Sequence, residues 1–161
     1  MKITHEHYSL NSERKEFLET KLKEGMFQCS LWDDLNTKLE TIESNTIILP
    51  RDLYPLEIKR LLRRGEEFGK STLFHFGETS RCHQNSIEFY LDGENNYKLC
   101  TGFALSNDGL WRSHTWLINE DNLPVETTVG RERYFGVVLD KKKLPIMFTE
   151  YEHEVGEFIH Q

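Results

Sequence analysis

Three side chains capable of acyl-transfer chemistry stand in order between Ser80 and Thr128: Cys82, His114 and Glu126. A thiol that attacks a carbonyl needs a base to ionise it, and the base needs a third group to hold its ring. Cys82 follows Ser80, which reads as an N-cap. Ile87, Phe89, Tyr90 and Leu91 supply an apolar run, and Gly93 reads as a helix stop. Cys82 is therefore expected in the first turn of a short helix, where orphan N–H groups and the positive end of the dipole favour a thiolate and an oxyanion.

The base and its partner are placed by strands. Tyr97–Leu105 and Leu110–Ile118 read as two antiparallel strands joined at Ser106-Asn107-Asp108-Gly109. Alternation puts His114, Trp116 and Ile118 on one face, and Trp111, Ser113, Thr115 and Leu117 on the other. Asn119–Asn122 reads as a second turn and Leu123–Val129 as a third strand, so Glu126 folds back beside His114 and is expected to accept its Nδ1–H. Each residue has an ordinary explanation when taken singly: an inert buried cysteine, a core histidine, a strand glutamate. The order of the three on a helix start and two neighbouring strands is what favours a nucleophile, a base and an orienting acid.

The order Cys-helix, strand, His-strand, acid-strand resembles the papain-like cysteine fold, and is most similar to its transglutaminase-like and arylamine N-acetyltransferase-like branch. The likeness is carried by Cys82, the strand through Gly102, His114-Thr115-Trp116 and Glu126-Thr127-Thr128, over roughly Thr79–Leu139. It implies a Cys-His-Glu triad and a papain-like core with the nucleophile at a helix N-terminus. Two departures stand out. The acid is a glutamate where the branch usually has aspartate, and Phe76 occupies the place where papain-like peptidases keep an oxyanion-donating glutamine. His83 and Gln84 are candidates for that role. Trp116, flanking the base, is a further candidate for a substrate or oxyanion contact, and Arg112, Arg131 and Arg133 are candidates for binding a substrate carboxylate.

Around this stretch, Ser12–Glu24 reads as an amphipathic helix ending at Gly25. Ser30 caps a second helix with Leu31, Leu35, Leu39 and Ile42 in a stripe and Trp32 packed below. Thr46–Pro50 is extended, and Pro55 begins a third helix reaching Phe68. Lys59, Arg60, Arg63 and Arg64 form its charged face, and His75 leads toward Cys82. Phe135–Leu139 is a buried strand, and Met147–Gln161 a helix or tail. The expected architecture is one α+β domain over residues 1–161. Residues 1–70 form a mainly helical layer, 71–140 the cysteine helix and an antiparallel sheet of about four to five strands, and 141–161 a C-terminal helix or tail.

Composition limits the function. The chain has 161 residues, 37% hydrophobic and 29% charged, as a globular domain should. A net charge of −7 argues against nucleic acid and anionic lipid as partners. The sequence has neither a spanning apolar run nor a secretory leader, and its three cysteines, Cys29, Cys82 and Cys100, lack a disulfide pattern, so a cytoplasmic setting is expected. The reading is a cysteine hydrolase or acyltransferase acting on an amide, thioester or ester, with no cofactor and an acyl donor that is a peptide or small molecule. Two alternatives compete. One is a non-catalytic binding domain of the same fold. The other is a metal site drawing on Cys82, His83, His114, Glu126 and Cys100, which lacks the usual Cys-x-x-Cys or His-x-x-x-His spacing.

Overall fold

The computed structural model describes residues 11–22, 30–49 and 55–139. The expected stop at Gly25, Cys29 and the expected C-terminal helix lie outside them. Four helices and a curled seven-stranded sheet make an α+β fold. Helix α1 (Ser12–Leu22) starts where Asn11 accepts the N–H of Arg14 at 2.8 Å. Its amphipathicity is weaker than expected, because Phe17 is exposed while Leu18 and Leu22 face the core. Helix α2 (Ser30–Ile42) follows the expected stripe, with Trp32, Leu35 and Leu39 buried.

Strand β1 (Ile47–Ile48) comes next, then α3 (Pro55–Arg64) and β2 (Glu66–Phe68). The third helix ends four residues before Phe68, contrary to expectation. Gly65 closes it by donating to the Leu61 carbonyl at 2.8 Å, and Glu66–Phe68 turns into a strand that buries Phe68. The first part of the chain thus contributes two strands as well as three helices.

Beyond these lie β3 (Leu73–Phe74), α4 (Cys82–Asp92), β4 (Lys98–Leu105), β5 (Leu110–Ile118), β6 (Pro124–Glu126) and β7 (Arg133–Leu139). The strand order is β2-β7-β4-β5-β6-β3, with β1 also on β5. The expected all-antiparallel sheet is corrected in two places: β1 pairs β5 and β3 pairs β6 in parallel. Both parallel strands are two residues long, too short to read from periodicity.

Three apolar groups line the two faces of the sheet. Trp111, Phe103 and Leu105 pack against α1–α3. Cys100, Ala104, Trp116, Ile118, Tyr134 and Phe68 form a second group. Leu99, Leu117, Val125 and Leu139 meet α4 through Ile87, Phe89 and Tyr90. The expected alternation along β5 is thus observed, with Trp116 and Ile118 on one side and Trp111 and Leu117 on the other.

At the centre, Gly102 of β4 lies opposite His114 of β5 and Gly136 of β7. A Cβ on Gly102 would fall 2.2 Å from the Phe135 carbonyl oxygen and 2.5 Å from the Gly136 Cα. Backbone, unlike a flexible side chain, cannot swing away. Gly102→Ala is therefore expected to destabilise the fold by about 1–3 kcal/mol or more, seen as a lower urea midpoint with an unchanged slope.

Candidate functional site

One edge of β5 explains how the site forms. Odd-numbered residues there point their N–H and C=O groups outward from β4: Gly109 and Trp111 accept from Ile47 and Leu49 at 3.1 and 2.8 Å, and Asn119 donates to Leu123 at 3.0 Å. Leu117 pairs with Val125, so the same register would bring Thr127 opposite Thr115. It does not, because β6 ends at Glu126 and diverges. The start of α4 enters the gap instead. The Thr115 N–H donates to Cys82, and the Thr115 carbonyl accepts the Ser86 hydroxyl at 3.2 Å. The thiol sits where the next strand residue would have been.

Helix α4 is held there by two further contacts. His83 Nδ1 meets the Thr115 hydroxyl at 2.5 Å, and that hydroxyl lies 3.1 Å from the Thr101 hydroxyl. Asn85, also buried, accepts the Glu78 N–H at 3.1 Å and donates to the Glu78 carbonyl at 2.7 Å, tying the approach loop to the helix. Gly77 permits this, since a Cβ would lie 2.3 Å from the Asn85 amide carbon. The expected Ser80 cap is replaced. Ser80 takes a positive φ of 62°, and Arg81 occupies the cap position without a side-chain cap bond. The first helical bond, Asn85 N–H to the Arg81 carbonyl, is 2.8 Å. The earlier N–H groups of the first turn have no acceptor within the helix. Gly93 ends α4 at φ 69°, as expected.

His114 joins the two acidic groups. Its Nε2 lies 2.9 Å from both Glu126 oxygens. Cys82 interacts with the same side chain, and with Nε2 held by Glu126 the nitrogen left to it is Nδ1. The ring is thus turned opposite to the expected orientation. Register gives the reason: Glu126 falls opposite Trp116, a diagonal neighbour of His114, and the carboxylate reaches the far nitrogen. Glu126 accepts three more bonds: the Thr128 N–H at 3.2 Å and hydroxyl at 3.0 Å on Oε1, and the Tyr134 hydroxyl at 2.5 Å on Oε2. Ser71 in turn bonds Tyr134. His114 is 1% exposed and Glu126 fully buried, while Cys82 is half-buried, so the thiol is the solvent-facing member.

Charge follows geometry. Burial pushes the Cys82 thiol up, but the hydrogen bond and positive charge of His114, helped by the Thr115 N–H, hold it below its ordinary value. Burial would lower His114, yet its bonds to Cys82 and Glu126 raise it. Burial also opposes the Glu126 charge, and His114, Tyr134 and Thr128 more than offset this. Both shifts act toward a thiolate beside an imidazolium. Cys100, fully buried in the second apolar group, is driven well above its ordinary value by desolvation and the nearby Glu66 charge.

The other expected site residues have different surroundings. His83 braces α4 against β5. Gln84 lies along α4, 3.4 Å from Glu88 and 3.5 Å from Arg81. Trp116 is fully buried, parallel to His114 at 6.1 Å between ring centres, and forms a floor. Arg112 makes a bidentate pair with Asp108 at 3.0 and 2.7 Å. Arg131 bonds Ser106 at 2.7 Å, and Arg133 pairs with Glu43 at 3.5 Å. His75 stacks on Phe89, ring centres 3.8 Å apart. A cavity of about 620 Å³ opens at the β4–β5 turn among Glu43, Asn45, Lys70, Ser106 and Glu132, with none of Cys82, His114 and Glu126 in its wall. Among the described residues no group of three or more His, Cys, Asp or Glu is gathered to hold a metal, and no helix is long and apolar enough to cross a membrane. Sequence reasoning missed Thr115, Asn85, Tyr134 and Ser71 as site-builders. Buried polar residues within apolar strands were the available signal.

Comparison with protein-family models, with curated proteins and with solved structures returns no match to this chain.

The His114–Glu126 pair has a pH signature. Glu126 is depressed on folding, so its contribution is lost as pH falls through its folded value, below the unfolded value of about 4.3. His114 is raised, so its contribution is complete below about 6.5 and lost as pH rises through its folded value. Glu126→Gln is therefore expected to cost most stability between about 4.3 and 6.5, on the order of 1–3 kcal/mol. Urea melts of both proteins across pH 3 to 9 (roughly the span of both titrations) would read this, and a pH-independent difference would contradict it.

Proposed function

We propose that the protein is a cysteine-dependent acyl-transfer enzyme, a hydrolase or transferase on an amide, thioester or ester, with a papain-like core of the transglutaminase-like kind. The observation that carries this reading is a fully buried imidazole bonded on one side to a half-buried thiol and on the other to a buried carboxylate. A buried histidine needs two partners at most, and a structural one would find them in backbone. Here one partner is an ionisable sulfur at an uncapped helix start.

In the reaction, the Cys82 thiolate attacks the substrate carbonyl and a C–S bond forms. First-turn N–H groups receive the oxyanion. His114 then gives its Nδ1 proton to the leaving group as the carbon–leaving-group bond breaks, leaving an acyl-thioester on Cys82. Neutral His114 next takes a proton from water or another acceptor, which attacks the thioester and releases the thiolate. Glu126 stays ionised, orients the ring through Nε2 and stabilises the imidazolium. No cofactor is needed for these steps. Among the described residues Cys82 and Cys100 are unbridged, which suits a reducing, cytoplasmic setting.

The test is the pH dependence of iodoacetamide labelling, read for each cysteine by mass spectrometry. Cys82 is expected to label with an apparent pKa well below the unperturbed value of about 8.5, and His114→Ala to return it there. Cys100 should label only on unfolding. Ordinary thiol behaviour at Cys82, unaltered by His114→Ala, would refute the enzyme.

A further inference from the structure

Strand β3 is the edge of the sheet. Its inner side is fixed by the N–H groups of His75 and Gly77, which donate to the Glu126 and Thr127 carbonyls at 2.9 and 3.0 Å. Backbone groups alternate along a strand, so those of Phe74 and Phe76 point to the outer side. No strand pairs that side among the described residues. Natural edges are blunted by lysine, proline or bulges, but residues 71–80 contain neither lysine nor proline.

The side chains at this edge are apolar and open. Phe74 and Phe76 stack at 5.1 Å and 19°, and are 44% and 67% exposed. Val129, 63% exposed, follows β6, and Gly130 leaves room beside Phe74, where a Cβ would come 3.5 Å from the ring. Phe74 pairs with Glu126, which places both aromatics on the triad face of the sheet. The same chain reaches Cys82 six residues after Phe76. Contiguous exposed apolar side chains, unlike scattered single ones, are a mark of binding surfaces.

We propose that the outer edge of β3 is the acyl-donor subsite, and that it takes an extended peptide by strand addition. The donor's backbone would bond Phe74 and Phe76, and its side chains at every second position, bulky and apolar, would lie on the two rings. This rests on the acyl-transfer reading and names its substrate class. The added strand continues the sheet that carries Glu126 and His114, and Cys82 follows this edge in the chain.

The experiment compares rates of Cys82 modification by iodoacetamide, methyl vinyl sulfone, acetyl-Leu-Ala-Leu-Ala vinyl sulfone and the same peptide N-methylated at alternate amides. The unmethylated peptide is expected to react at least ~10-fold faster than methyl vinyl sulfone, equivalent to about 1.4 kcal/mol, and N-methylation to remove the gain. Phe74→Ser with Phe76→Ser should do the same while leaving the iodoacetamide rate unchanged. Fast iodoacetamide labelling with no peptide advantage overturns the subsite alone. Slow iodoacetamide labelling of Cys82 overturns the nucleophile itself. If the double variant instead converts a dimer to a monomer by sedimentation and leaves the peptide rate intact, the edge binds a second copy of the chain and the proposal fails.

Discussion

The fold depends on a strand ending early. Had β6 continued past Glu126, Thr127 would take the N–H and carbonyl of Thr115, and β5 would have a closed edge. Because it stops, those two groups must find partners elsewhere, since buried backbone is rarely left unpaired. Helix α4 supplies them as Cys82 and Ser86. A backbone bonding requirement of β5 therefore docks the helix, and that docking carries the thiol to His114. Thr128, just beyond the break, turns back to bond the Glu126 carboxylate, so the same divergence also furnishes the acid with donors.

Burial of three ionisable groups together is costly unless each is bonded. The cluster meets that condition through polar residues from four elements and loops. Thr128 and Tyr134 serve Glu126, Ser71 serves Tyr134, and Thr115 serves Cys82. The two glycines at Gly102 and Gly136 let β4 and β7 approach closely behind this layer, and Trp116 and Tyr134 fill the space beneath His114.

Much of this arrangement was readable before any coordinates. The β4–β5 hairpin has strong alternation and an Asp-Gly turn, and β5 runs over the same residues as expected. Glycine at Gly93 marked the end of α4. Chemistry named Cys82, His114 and Glu126 together. What resisted was non-local. Strands of two residues, such as β1 and β3, carry no period and exist only because a partner is present. Glu66–Phe68 continues the pattern of α3, and only pairing with β7 turns it into a strand. The ring orientation of His114 depended on a register shift of one diagonal, beyond what turn length could decide. Arg112 looked free for a ligand because Asp108, four residues away, was read only as a turn former.

Cys82, His114 and Glu126 come from unequal distances along the chain. His114 and Glu126 belong to one hairpin and meet once that turn closes, whereas Cys82 must be delivered by a helix inserted into the finished edge of β5. Folding theory assigns such non-local contacts a late place, after loop-closure entropy has been overcome. In a nascent or partly folded chain Cys82 then lacks the neighbours that lower its pKa, and that environment exists only in molecules that have completed their sheet. Correct assembly thus acts as a checkpoint on the ionisation of this thiol, built into the way the last piece of backbone is paired.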